Sequence, residues 1–174
     1  MKRVLSTVLV VIMLASALTL FSGCSNAPKD WYQMTLDYYS EGVKTGWANE
    51  DKSLNIHIAK DLKTKDPNKQ IGYLLVDLDK DGTKELLIGF NDGSNATKFT
   101  DVYVWHSDIG AFQILGGGEG YYIYLCANNV IAQDSWYGSL TERDFKTWNS
   151  KSNSFTIIDG EGKYLPKKWD LTEF

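Results

Sequence analysis

The chain has 174 residues, 43% of them apolar and 13% aromatic, with 6 Trp, 10 Tyr and 7 Phe. That composition suits one globular domain and argues against disorder, and 3 Pro with 15 Gly leave no collagen-like or proline-rich segment. A net charge of -4 and a pI near 5.2 remove the electrostatic case for nucleic-acid binding, and two cysteines cannot make a disulfide-dense scaffold.

Lys2 and Arg3 open the chain, and Val4 to Phe21 is almost wholly apolar apart from Ser6, Thr7, Ser16 and Thr19. A basic start, an apolar run and the small pair Ser22-Gly23 make residues 1–23 read as a signal peptide. Cys24 follows at once. Small residues directly before a cysteine at the end of such a run resemble the lipobox of bacterial lipoproteins. In that family the cysteine is lipidated and becomes the mature N-terminus. Leu usually stands three residues before the cysteine; here Phe21 does, with Leu20 one step earlier. The resemblance implies lipidation of Cys24, a short tether over residues 24–29, and an extracytoplasmic protein anchored to the cell membrane. Each acyl methylene then adds about 0.8 kcal/mol to attachment. A plain cleaved signal peptide and a retained anchor are the alternatives, since a run of about 18 residues just spans a bilayer.

Loss of residues 1–23 removes Lys2 and Arg3, so 16 basic residues face 22 acidic ones and the body carries -6. The remaining thiol, Cys126, sits in the strand-like run Tyr121 to Cys126 and reads as a buried, inert cysteine. No intramolecular disulfide is expected once Cys24 is acylated.

Residues 30–174 read as a single α+β domain. Asp30 suits an N-cap, and Trp31, Met34, Tyr38 and Tyr39 recur at helical spacing, so residues 30–48 are expected to form a helix. Gly42 and Gly46 each weaken it by about 1 kcal/mol. Over residues 53–64, Ile56, Ile58 and Leu62 fit neither period, although Ser53 could cap a second helix. Lys63 to Lys69, with Pro67-Asn68, reads as a polar turn. Strand signals dominate from Ile71. Gly72 to Asp77 and Glu85 to Phe90 are apolar on both faces, as central strands are. Asp101 to His106 and Ala111 to Leu115 flank the hairpin signal Ser107-Asp108-Ile109-Gly110. Tyr121 to Ala127 and Val130 to Trp136 flank Asn128-Asn129, a pair suited to positive φ. Asp144 to Trp148 and Phe155 to Ile158 complete the series. The expectation is one or two N-terminal helices, then an antiparallel meander of six to eight strands.

One stretch carries chemistry: Asp77-Leu78-Asp79-Lys80-Asp81-Gly82-Thr83-Lys84-Glu85. Carboxylates at positions 1, 3 and 5 converge when the backbone curls, and Gly82 permits the sharp turn. Thr83 can offer its carbonyl, and Glu85 can close the cage. Such a hard-oxygen set suits Ca²⁺, which takes about 6–8 oxygens. An EF-hand needs an acid at position 12, where this chain has Ile88. The strand–loop–strand order is instead similar to the calcium hairpins of FG-GAP repeats in integrin-type proteins. It also resembles an Asp-x-Asp-x-Asp-Gly-x-x-Glu-Leu hairpin of surface lipoproteins from Gram-positive bacteria. The likeness covers residues 73–90 well and 71–137 loosely, and it implies a fold and an ion but no activity. Glu85 stands where integrin loops have Asp, and a single loop does not make a propeller. The competing reading is a plain acidic turn, with Lys80 and Lys84 offsetting half of its charge. Weak calcium affinity is expected, near the ~10⁻⁴–10⁻³ M of extracellular modules.

Other signals are weaker. Gly116 to Gly120 lacks the Gly-Lys-Ser/Thr of a phosphate loop. Asn91 to Asn95 and Asp159 to Gly162 read as polar turns, and His57 and His106 as structural histidines. Trp136, Tyr137 and Trp148 suit packing first and a sugar-binding face second. Glu142, Arg143 and Asp144 read as a solvated charge cluster. No Gly-x-Ser-x-Gly and no His-Glu-x-x-His occurs. The leading function is therefore a lipid-anchored surface module that holds one structural calcium and binds a protein or glycan. A cell-envelope or polysaccharide hydrolase with unnamed acids comes second, and an anchored inhibitor of a secreted enzyme third.

Overall fold

A computed structural model describes residues 31–48, 58–116, 121–137 and 139–174. The signal peptide, Cys24 and its tether, Asp30, Ser53, Ile56, His57 and Gly117 to Gly120 lie outside the described residues.

Helix α1 (Gln33–Thr45) buries a different stripe from the one the spacing suggests. Tyr32, Leu36 and Tyr39 go inward, Trp31, Tyr38 and Val43 are partly buried, and Met34 is 88% exposed. The buried tyrosines win because their hydroxyls find partners. Tyr32 Oη donates to the Lys84 carbonyl at 3.1 Å, and Tyr39 Oη meets Tyr103 Oη at 3.0 Å. Gly46 takes a left-handed φ of 64° and ends the helix, and the Trp47 amide returns to the Gly42 carbonyl at 2.8 Å. Gly42 is there for space: a Cβ would lie 2.5 Å from the Trp47 ring. Helix α2 (Lys60–Lys63) is a single turn, followed by the expected polar turn, in which Asp66 Oδ1 accepts the Asn68 amide.

The strands are β1 (Gln70–Val76), β2 (Glu85–Asn91), β3 (Lys98–His106), β4 (Gly110–Leu115), β5 (Tyr121–Leu125), β6 (Ile131–Tyr137), β7 (Leu140–Asn149), β8 (Ser154–Ile158) and β9 (Thr172–Glu173). All pairings are antiparallel, in the order β8-β7-β6-β5-β3-β2-β1-β9. The fold is thus β-rich with its helical part toward the N-terminus, and α+β describes it only roughly. Among the described residues nine strands replace six to eight, because the chain end returns as β9 against Gly72 and Tyr73. The meander is also interrupted. β3 is long enough to share one edge, pairing β4 along Val102–His106 and β5 at Phe99.

Strand alternation divides the core. Leu86, Ile88 and Phe90 of β2 and Tyr103 of β3 face α1, with Tyr32, Leu36, Tyr39, Trp47 and Leu62. Leu87, Val102 and Val104 face the other way and pack with Ile123, Leu125, Ile131 and Trp148. The sheet therefore curls until its far half covers its near half. A third cluster, Tyr124, Cys126, Val130, Ala132 and Phe145, lies under Tyr164 of the C-terminal segment. Cys126 is fully buried and free, as its surroundings suggested. β1 departs from expectation: only Gly72 and Tyr73 are buried, since just two residues of β9 lie outside it.

The Gly42 contact gives a sharp test. Alanine there gains about 1 kcal/mol of helix propensity but collides with a tryptophan fixed by a 3.2 Å bond from Nε1 to the Leu62 carbonyl. Gly42→Ala should lose about 1–2 kcal/mol net in urea denaturation. A variant as stable as the wild type would show that Trp47 gives way freely.

Candidate metal centre

Val76 and Glu85 pair at the end of the β1–β2 ladder, so Asp77 to Lys84 must close as a tight loop. Lys80 and Gly82 take left-handed φ values of 64° and 94°. This curl turns the aspartates inward. One carboxylate oxygen from each of Asp77, Asp79 and Asp81 lies within 4.8 Å of the others. The loop's own backbone holds them. Asp77 Oδ1 accepts the Asp81 amide at 3.1 Å, Asp77 Oδ2 the Gly82 amide at 2.9 Å, and Asp81 Oδ1 the Thr83 amide at 2.7 Å.

Two distant turns complete the frame. From the β7–β8 turn, Ser150 donates its amide and hydroxyl to Asp79 Oδ2 at 2.7 and 2.6 Å, and its hydroxyl also lies 2.7 Å from Asp81 Oδ2. From the β5–β6 turn, Asn129 Nδ2 donates to the Asp77 carbonyl at 2.6 Å. Asn128 and Asn129 have the positive φ values of 58° and 59° that their pairing suggested. Ser150 and Asn129 read in sequence only as turn residues. Nothing local marks them, because each acts across more than fifty residues.

Glu85 has a separate place. It is 2% exposed, and its Oε2 accepts the Leu78 amide at 2.7 Å, locking the neck of the loop. Burial pushes its carboxyl up to about 7; the Leu78 amide opposes this, and the charges of Asp79 and Asp81 add to it. Asp81 is held below the usual carboxylate range. Its partial burial works the other way, but bonds from Ser150 and Thr83 and the nearby Lys151 outweigh it. Lys80 and Lys84 make no ion pair among the described residues. One acceptor is left over: Asp79 Oδ1 is buried and has no hydrogen-bond partner among the described residues. Three crowded carboxylates, one with an unused buried oxygen, form a set that a hard cation can fill. The loop borders a cleft of about 410 Å³ whose lining includes Asp79, Lys80, Asp81, Trp148 and Lys151.

The weaker signals resolve differently. In the β2–β3 turn, Lys98 Nζ reaches Asp92 Oδ2 at 2.6 Å and takes the place a cation would have. Arg143 does not join Glu142 and Asp144, its neighbours in sequence. Register sets it opposite Asp134, which it grips with two bonds of 2.5 and 2.7 Å. Trp148 is core, whereas Trp136 is 39% exposed and meets Tyr122 edge-on at 4.9 Å. His106 is exposed at the end of β3.

No known family, characterised protein or solved structure matches the chain.

Asp92 supplies a pH test. Its carboxyl is held down to about 2: partial burial raises it, but bonds from Lys98 and Ser94 prevail. A carboxylate with a depressed native pKa stabilises the fold above its unfolded value near 4, and that stability is lost as pH falls toward 2. Wild type should lose roughly 2 kcal/mol from this group over that window. In Lys98→Met the loss should be clearly smaller, as read by urea melts at stepped pH. Parallel pH curves for the two proteins would contradict the assignment.

Proposed function

We propose that this is an extracytoplasmic, lipid-anchored surface module in which the Asp77–Glu85 hairpin holds one structural calcium ion and an exposed face binds a protein or glycan. The supporting observation is the convergence of Asp77, Asp79 and Asp81 around a buried Asp79 oxygen that lacks a partner. Asp77, Asp79 and Asp81 would ligate through carboxylates and Thr83 through its carbonyl, as the hairpin resemblance implies. Glu85, which that resemblance also offers as a ligand, lies outside the cluster and holds the neck of the loop through the Leu78 amide. Calcium fits better than magnesium, which demands tighter octahedral geometry and keeps its waters. The ion's work in this reading is mechanical. It would cancel the repulsion among the three acids and pin the β1–β2 loop to the turn carrying Ser150. Binding rather than catalysis is proposed because the chain carries no nucleophile or zinc-protease motif.

Thermal melts of residues 25–174, which contain all three core clusters, test the ion. Calcium at about 5 mM should add about 1–2 kcal/mol and raise Tm by a few degrees, with less from magnesium. Asp81→Asn should erase the shift. No shift with calcium, or the same shift in Asp81→Asn, would leave the stretch a plain acidic turn.

The anchor is tested separately. Cys24→Ala should move the protein out of the membrane fraction and abolish labelling by a radioactive fatty acid. Equal labelling of both proteins would remove the lipid from this proposal.

A further inference from the structure

β8 stands at one end of the strand order, and among the described residues no backbone hydrogen bond reaches its outer edge. An open edge invites another strand, and proteins usually blunt it with charge, proline, a bulge or very short length. β9, at the opposite end, is blunted: it has two residues, one of them Glu173. β8 is not. Its five residues, Ser154-Phe155-Thr156-Ile157-Ile158, carry no charge, no proline and no glycine. Ile157 is 70% exposed. Leu165, 72% exposed, shares with it the lining of a cleft of about 610 Å³ beside the strand.

We infer that the protein pairs with a second copy of itself through this edge, β8 antiparallel to β8, in a two-fold sheet running through both molecules. The charges flanking the strand choose the occupant. Lys151 lies before β8, and Asp159 and Glu161 lie after it, all exposed. Antiparallel self-pairing sets opposite charges side by side, whereas a parallel arrangement sets like against like.

The same features choose the register. With Thr156 opposite Thr156 of the second copy, Phe155 faces Ile157 of the second copy and covers it. The hairpin turn that carries Lys151 then lies toward the end of the second copy's strand, where Asp159 follows. Moving the centre to Phe155 would set Ile157 against Asn153, whose left-handed φ of 48° takes it out of the strand. Moving it to Ile157 would set Phe155 against the exposed Asp159. A single short strand pair lies at the small end of specific interfaces, below about 1,200 Å², so the dimer is reversible and best trapped covalently.

The register makes that trap specific. Residues opposite one another across an antiparallel pair lie about 4.5–5.5 Å apart, within disulfide reach. A residue two places off centre meets its own copy only some 13 Å away. The test uses the full chain with Cys24→Ala, in mild detergent, so that buried Cys126 is the remaining native thiol. Thr156→Cys should form a covalent dimer on oxidation, and Ser154→Cys at least about tenfold less. Adding Ile157→Lys to Thr156→Cys should abolish the dimer with the melting curve unchanged, since this side chain is mostly in solvent. Equal cross-linking at positions 154 and 156 would mean random collision and overturn the proposal. So would no dimer at position 156, whether the thiol stays open to a maleimide or is shielded by another part of the same chain.

Discussion

Leu86, Ile88 and Phe90 leave β2 on one side and Leu87 on the other, and every residue of the strand is buried. Fully burying one such side chain contributes about 1.5–3 kcal/mol, so neither face can be left to water. α1 covers one face. Among the described residues no helix lies on the other, since the single turn α2 packs on the same side as α1, and the sheet covers that face itself by curling β5 to β7 over it. That curl places Trp148 under Leu78 in the same core cluster and puts the β7–β8 turn beside the β1–β2 loop. The acidic site is thus a by-product of how β2 gets covered.

The charges fall into two groups. Where a carboxylate has a basic side chain within reach, it takes it: Asp92 with Lys98, Asp134 with Arg143, Asp61 with Lys69. The acids of the β1–β2 loop make their hydrogen bonds to neutral donors, among them backbone amides and the Ser150 hydroxyl, and Lys151 stands near Asp81 without forming an ion pair among the described residues. Such donors orient carboxylates without cancelling their charge. This separates a loop preorganised for a cation from an acidic turn that has already neutralised itself. The buried Glu85 below it shows the same field from another side, as the nearby aspartates help to raise its pKa.

The two edges of the sheet extend this contrast to the surface. The short, charged β9 closes one end by ordinary means. β8 leaves five uncharged residues and an exposed isoleucine at the other, within a few residues of the turn that holds Asp79. The β7–β8 hairpin therefore faces two ways: its turn secures the acidic loop, and its outer strand offers an edge to a second molecule.

Much of this was legible in the sequence because it depends on near neighbours. Apolar runs bounded by turn signals located the first eight strands, Asn128-Asn129 announced positive φ, and Asp77, Asp79 and Asp81 with Gly82 announced a curled acidic loop. The failures were of another kind. Spacing put Met34 inward, but the hydroxyls of Tyr32 and Tyr39 needed partners on β3 and beside β2, and that rotated the helix. Arg143 seemed to belong with Glu142 and Asp144, yet strand register gave it Asp134. Ser150 and Asn129 became supports of the loop only through the curl, and β9 exists only because the chain end returns to β1. Local sequence determined which residues could bend, alternate or bear charge. Which of them meet across seventy residues was decided by tertiary burial, since that is where the larger free energies lie.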